Sequence, residues 1–445
     1  LTQTMKKLFI TIMLLTGFVF ATKAQWVSPG EGITYDMSSL ALASNGAVVE
    51  DSPNHYAIMQ DVTISKRDIL DISGLDVVYI GTKNTTVTIK GRLNVSVETV
   101  MQGDANSRII FEDSEHSEIS YFNIDMLGGI SLVDADVIFT ECSFSNFETT
   151  YSNSAVSISG GEPRFIRCMF MNNQGSGISS AANKLSSPQI SSCVFKRNGV
   201  ANGNTPQINL GPGTETPIVI QQCEVIGGGF DMVGGISISD LLGMGSTTII
   251  ISDNFIVDNR YGINQQGNSI ASEIVGNLIY DNSFETNPMN GGSGISIYGL
   301  STDCSAYIRN NFIKGNLWGI TAINQFTIDM GTEDDWGFNS IHNNSNSTGS
   351  FNLYNNSAID IPAVGNYWGT TDIDDVEKLI YHKTDDPSLG LVTYTPIWED
   401  DGLNEIPAQQ LNDNRVYSID GRYLGMEVPA DYRGIYIQNG KKYFK

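Results

Sequence analysis

The chain has 445 residues, 45 of them glycine, with 40% hydrophobic and only 17% charged residues, a turn-rich composition that excludes a disordered polyelectrolyte. Forty-nine acidic against 25 basic residues give a formal net charge of −24, which argues against nucleic acid as a partner and suits neutral ligands, divalent cations or plain solubility.

At the N-terminus, Met5, Lys6 and Lys7 lead into an apolar run from Leu8 to Phe20, and Ala21-Thr22-Lys23-Ala24 ends it with a small residue before Gln25. A basic start, a short apolar core and a small residue make an export signal over 1–24, since the run is too short to span a bilayer. Removal of Lys6, Lys7 and Lys23 leaves 22 basic residues against 49 acidic ones, a net charge of −27. Residues 25–60 read as a lead-in or cap.

Along the middle of the chain one short pattern returns, I-x-x-(N/C)-x-I-x-x-N, often followed by G-I. Its clearest copies are Ile251, Asn254, Ile256, Asn259, Gly262 and Ile263, then Ile308, Asn311, Ile313, Asn316, Gly319 and Ile320. Ile274, Asn277, Ile279 and Asn282 fit it, as do Ile190, Cys193, Phe195 and Asn198, and Phe165, Cys168, Phe170 and Asn173. The first N/C position gives a register mark at Cys142, Cys168, Cys193, Cys223, Asn254, Asn277, Asn311, Asn339 and Asn366, with steps of 23 to 34 residues. A coil of short strands joined by adjustable turns tolerates that scatter, and apolar residues two apart suit a strand with one buried face. Equivalent residues of parallel coils then stack about 4.8 Å apart. Two ladders are predicted: an inner one that begins as Cys142–Cys223 and continues as asparagine, and a second at Asn173, Asn198, Asn259, Asn282, Asn316 and Asn344, where asparagine is expected to take the left-handed corner conformation. The register makes the four cysteines buried free thiols, with disulfides between neighbours as the alternative in an oxidising space; Cys304 lies outside the column, and no C-x-x-C pair supports a metal site.

These repeats, from about Asp61 to Trp398, resemble the right-handed parallel β-helix repeat proteins, the pectate-lyase-like solenoids, and the fold class expected is all-β, a right-handed parallel β-helix with a small C-terminal β-hairpin unit. Val87-Thr88-Ile89-Lys90-Gly91-Arg92-Leu93 and Arg108-Ile109-Ile110-Phe111 look like the opening coils of that family. Asn366-Tyr367-Trp368-Gly369 looks like its closing segment, where Trp368 is placed to cover an otherwise open apolar end.

After Trp398 the chain turns acidic and polar, a linker over 399–414. The unit over 415–445 has Val416-Tyr417-Ser418-Ile419-Asp420-Gly421-Arg422, Gly434-Ile435-Tyr436-Ile437 and an Asn439-Gly440 turn, which make two or three strands. It resembles the C-terminal sorting domains of the type IX secretion system, which implies handling by that secretion machinery and an extracellular or outer-surface location; a plain β-cap on a periplasmic protein is the alternative.

Enzymes of the resembled family carry their catalytic groups outside successive coils. A polygalacturonase-like hydrolase would bring a G-H-G motif, which is missing, and His55, His116, His342 and His382 share no register. Asp258 and Asp281 do hold equivalent positions on adjacent coils and are the candidate catalytic or calcium-binding pair, the alternative being two solvated corner acids. Tyr261, Phe284 and Trp318 each lie seven residues beyond their register mark, while Phe255, Phe312 and Tyr367 lie one beyond theirs. Rings aligned in this way bind sugars by stacking, or pack beneath loops.

Three functional readings follow. The first is a secreted or surface β-helix that binds glycans or another surface component without catalysis, through a flank shaped by the insertion Asn282–Gly294. The second is a polysaccharide lyase or glycoside hydrolase that uses Asp258 and Asp281, and the third a structural surface solenoid. No cofactor other than calcium is implied.

Overall fold

The computed structural model describes residues 25–74 and 77–399 and, beyond them, the strands Val416–Ser418, Tyr423–Gly425, Ile435–Gln438 and Lys441–Phe444. The expected export signal over 1–24 and the expected linker beyond Glu399 lie outside the described residues. Among the described residues no helix is long and apolar enough to cross a membrane.

Short strands recur three to a coil and pair in parallel with their equivalents one coil away, so the chain is a right-handed parallel β-helix, as expected. In the coil that follows Asn254, Phe255–Val257 belongs to the third ladder, Ile263–Gly267 to the first ladder of the next turn and Ile270–Val275 to the second. First and second ladders merge into one 24-stranded sheet, because Ser293–Arg309 and Trp318–Asp329 run unbroken through the corner between them; the third ladder forms a 13-stranded sheet. The lead-in already contributes to all three ladders: Gln25–Val27 pairs with Asp61–Thr63, Thr34–Tyr35 with Ile69–Leu70, and His55–Ile58 with Tyr79–Thr82.

The core follows from the period of two. In the third ladder the inward side chains are Phe144, Phe170 and Phe195, then Val225, Ile256, Ile279, Ile313 and Ile341, all fully buried. Phe144, Phe170 and Phe195 stack with centroids 4.7 Å apart and planes within 12°, the coil spacing itself.

Between second and third ladders runs the predicted inner column. The Asn254 side chain donates to Asn277 Oδ1 at 2.9 Å, Asn277 to Asn311 at 2.9 Å, Asn311 to Asn339 at 2.9 Å and Asn339 to Asn366 at 2.8 Å. The same Oδ1 atoms also accept the backbone N–H of the preceding coil, and this continues into the cysteines: Cys223 N–H donates to Asn254 Oδ1 at 2.9 Å and Cys168 N–H to Cys193 Sγ at 3.3 Å. All five cysteines are free and buried, and burial pushes the Cys142 and Cys193 thiols up.

The second asparagine column is also inside, and here the structure corrects the sequence reading. Asn173, Asn198, Asn259, Asn282, Asn316 and Asn344 are not the left-handed residues; the residue before each one is, including Asn172, Arg197, Asp258, Asp281, Gly315 and Asn343, with φ between 54° and 71°. The left-handed residue turns the chain, and the buried asparagine behind it satisfies the corner's backbone groups. Where the coil after Cys223 lacks such an asparagine, Gln207 enters the column from another offset, taking the Asn198 amide at 2.8 Å and donating to the Ile226 carbonyl at 3.0 Å.

Both ends are closed. At the first, the buried Asp68 carboxylate accepts from the Ser28 hydroxyl and from the backbone N–H of Gly30, Gly32 and Ile33, and the helix Met37–Ala43 covers the core with Met37 and Leu40. At the other, Trp368 is fully buried, and His382, Thr384 and Tyr394 all donate to Glu377. The Val392 N–H donates to His382 Nδ1 at 2.9 Å, so the ring proton sits on Nε2, facing Glu377. The C-terminal strands form a four-stranded antiparallel sheet, more than the two or three expected, with Gln438 paired to Lys441; the expected Asn439-Gly440 turn lies outside the described residues.

Candidate functional site

Val257 pairs with Tyr280 in the third ladder, so the residues that follow, Asp258 and Asp281, occupy neighbouring corners between third and first ladders. Both are exposed and left-handed, at φ 59° and 54°. Burial and the Asp281 charge hold the Asp258 carboxyl above its usual range, and burial, Asp281 and Asp258 together raise the Tyr280 hydroxyl. The next corner is Gly315, where an added Cβ would come within 2.1 Å of Asp281 Oδ1; its missing side chain makes room for that carboxylate. The corner therefore offers two carboxylates and a phenol in mutual electrostatic contact. Among the described residues no group of three or more His, Cys, Asp or Glu is arranged to hold a metal ion.

The six candidate rings do not form one surface. Tyr261 and Trp318 share a column at the entry to the first ladder, two coils apart with Ser293 between them. Phe284 is not in that column, because the insertion after Asn282 breaks the residue count; its ring lies over Gly229 and is 47% exposed. Phe255 and Phe312 lie on the outer face of the third ladder with Leu278 between them, edge-on to Tyr280 and His342 respectively. Tyr367 continues that column through a bridge to Ser340.

The most continuous polar surface was not singled out in the sequence: the outer face of the first ladder. One outward column runs Ser131, Ser157, Ser179, Asn209, Ser237 and Asn264, and continues through Ser296 and Thr321 to Tyr354 and Tyr381. Beside it, two residues on, stand Ser239, Gln266, Tyr298, Ile323 and Asn356. In the sequence its signal is the variable residue of the recurring G-I-x, polar in successive copies. Part of the strip bonds to itself: Ser157 reaches Ser131 Oγ at 3.3 Å, the Asn264 amide reaches Ser237 Oγ at 3.2 Å, and Ser293 and Thr321 share a 3.0 Å bond. The Asn209, Gln266 and Ser296 side chains are half-buried and hydrogen-bond no other described residue.

At the C-terminal end the strip becomes aromatic. Tyr354 and Tyr381 stack at 4.7 Å with planes 7° apart, and Trp318 lies 5.0 Å from Phe351 and 4.9 Å from Tyr354. The insertion beyond Asn282 borders this region: Trp318 Nε1 donates to the Pro288 carbonyl at 3.0 Å, and Arg260 donates to the Asn290 carbonyl and to Asn204 Oδ1. A shallow depression on the outer face of the second ladder, lined by Glu162, Arg164, Ile166, Gln189, Ser191 and Thr216, is separate from both places.

A family described as a protein of unknown function, DUF1565, matches residues 232–372. No curated protein matches the chain by sequence. Solved structures similar to it include the periplasmic alginate epimerase AlgG, at 11% identity over 81% of this chain and 83% of that one with a TM-score of 0.43. A mannuronic acid specific polysaccharide family 6 lyase from human gut microbiota is similar at 12% identity over 86% and 93% of the two chains, with a TM-score of 0.38. A family 6 polysaccharide lyase from Pseudopedobacter saltans is similar at 12% identity over 83% and 93%, with a TM-score of 0.25.

Proposed function

We propose that this chain is an exported β-helix protein that holds an extended polysaccharide along the outer face of its first ladder without cleaving it. The observation that carries the reading is the strip from Ser131 to Tyr381: half-buried amides and hydroxyls at Asn209, Gln266 and Ser296 without hydrogen-bond partners among the described residues, on the same face as the rings of Tyr354 and Tyr381, with Trp318 packed beside Tyr354. Sugars are bound by this combination of two-way hydrogen-bonding groups and aromatic faces. In this reading residues 61–398 form the binding solenoid, 1–24 direct export and 415–445 engage secretion machinery, and the protein works outside the cell or at its surface.

Affinity electrophoresis against a polysaccharide panel tests it. The reading expects retardation by at least one polymer, with no product released, and a loss of affinity of at least tenfold in Tyr354→Ala. Retardation by none of the polymers would overturn it. The raised Asp258 carboxyl beside Asp281 favours a second reading, in which the pair acts on a bound polysaccharide as acid and base. Depolymerisation abolished by both Asp258→Ala and Asp281→Ala would support that second reading; activity that survives in both variants would remove the pair.

A further inference from the structure

We propose, resting on the polysaccharide reading above, that the polymer held on the first ladder is uncharged. From Ser131 to Tyr381 the outward column contains only Ser, Asn, Thr and Tyr, and its neighbour from Ser239 to Asn356 contains no charged residue either. Composition does not impose this, because the chain carries 49 acidic and 25 basic residues. Outward positions of the second ladder include Arg164, Glu273 and Asp329, and those of the third include Lys196, Glu224 and Lys314. From Ser131 to Tyr381 charge is absent from this one of the three outer faces, although the coil before Ser131 places Arg108 and Glu112 there.

A uronate or sulfated polymer would place one anion on each sugar or two and would need cations at the coil spacing to receive them. The strip offers none. Of the cations near it, Arg260 is engaged by the Asn290 carbonyl and Asn204 Oδ1, Lys184 by Asp134, and Arg108, one coil before Ser131, by Thr86 Oγ1 and the Tyr151 ring. The surrounding field of a chain at −24 opposes a polyanion further. Serine, asparagine and glutamine side chains both donate and accept, as sugar hydroxyls do, and in-register coils repeat them about every 4.8 Å along the axis, so that successive rings of an extended chain meet equivalent groups.

The test compares retardation of the full chain by neutral polymers (a β-glucan, a mannan, a xylan) with retardation by alginate and polygalacturonate, each at low and at moderate salt. The inference expects binding to a neutral polymer, unchanged by salt, and at least tenfold weaker binding in Gln266→Glu and in Tyr354→Ala; the Gln266 side chain is half-buried and hydrogen-bonds no other described residue, so its variant leaves the fold intact. Binding to uronate polymers alone, weakened by salt, would overturn the inference while leaving the polysaccharide reading standing. Binding to no polymer would remove both.

Discussion

Replacing Asn311 with leucine removes a central link of the inner column. Its Oδ1 accepts the Asn277 N–H and the Asn277 side-chain amide, both at 2.9 Å, and its Nδ2 donates to the Ile274 carbonyl at 2.8 Å, the Arg309 carbonyl at 2.9 Å and Asn339 Oδ1 at 2.9 Å. After substitution the Asn277 amide still has the Ile251 and Val275 carbonyls, and Asn339 Oδ1 still has the Asn311 N–H, so neither is stranded. The Asn277 backbone N–H loses its acceptor in a fully buried site, which costs about 1–3 kcal/mol, and two carbonyls lose one donor each. Leucine's extra apolar burial offsets part of this, leaving a destabilisation of about 1–3 kcal/mol. Asn311→Cys should cost less, because a thiol can accept a backbone N–H weakly, as Cys193 Sγ does from Cys168. Urea unfolding followed by fluorescence suits the measurement, since Trp318, Trp336 and Trp368 lie in the coils around this position. A midpoint for Asn311→Leu equal to that of the parent chain, or one above that of Asn311→Cys, would refute the account of the column.

The N-terminal closure should depend on pH through Asp68. Burial would raise this carboxyl, but the Ser28 hydroxyl and the N–H groups of Ile33, Gly30 and Gly32 hold it below its usual range of about 3.9. Its stabilisation is therefore fully present above that value and is lost as the pH falls through the folded value. Asp68→Asn turns an amide NH2 toward two of those donors and should cost about 2–3 kcal/mol at neutral pH, with increased hydrogen exchange in Gln25–Val27 as the local readout; unchanged exchange there would contradict it. Asp258 has the opposite sign: its carboxyl is held up by burial and by Asp281, so its ionisation lowers stability as the pH rises from the ordinary value through the folded one. Asp258→Asn should leave the neutral-pH melting temperature equal or higher, an advantage that vanishes near pH 3, and a lower value at pH 7 would contradict this. The cysteines should be unreactive toward a thiol reagent in the native protein and give five thiols on denaturation; a count of three or fewer would reveal disulfides in the column.

The coil architecture was legible because stacking forces equivalent positions to repeat, and Asn254, Asn277 and Asn311 repeat one residue type at one register. The same regularity fails where chain is inserted: Phe284 kept the count from Asn277 but left the column, and Gln207 and Asn352 joined a column from offsets that no fixed spacing reveals. The left-handed corner was assigned to asparagine from its intrinsic tolerance, yet burial claimed the asparagines for hydrogen bonding and left the bend to the residue before each one. The neutral strip went unnoticed because serines and asparagines at alternating positions look like ordinary solvated strand residues until register shows that they share one face.

A crystal structure with a neutral oligosaccharide bound tests the central claim most directly. The account predicts sugar rings in file along the first ladder, bonded to Gln266 and Ser296 and stacked toward Tyr354. Sugar density on the third ladder around Phe255 and Phe312, or at Asp258 and Asp281 with the strip bare, would contradict it.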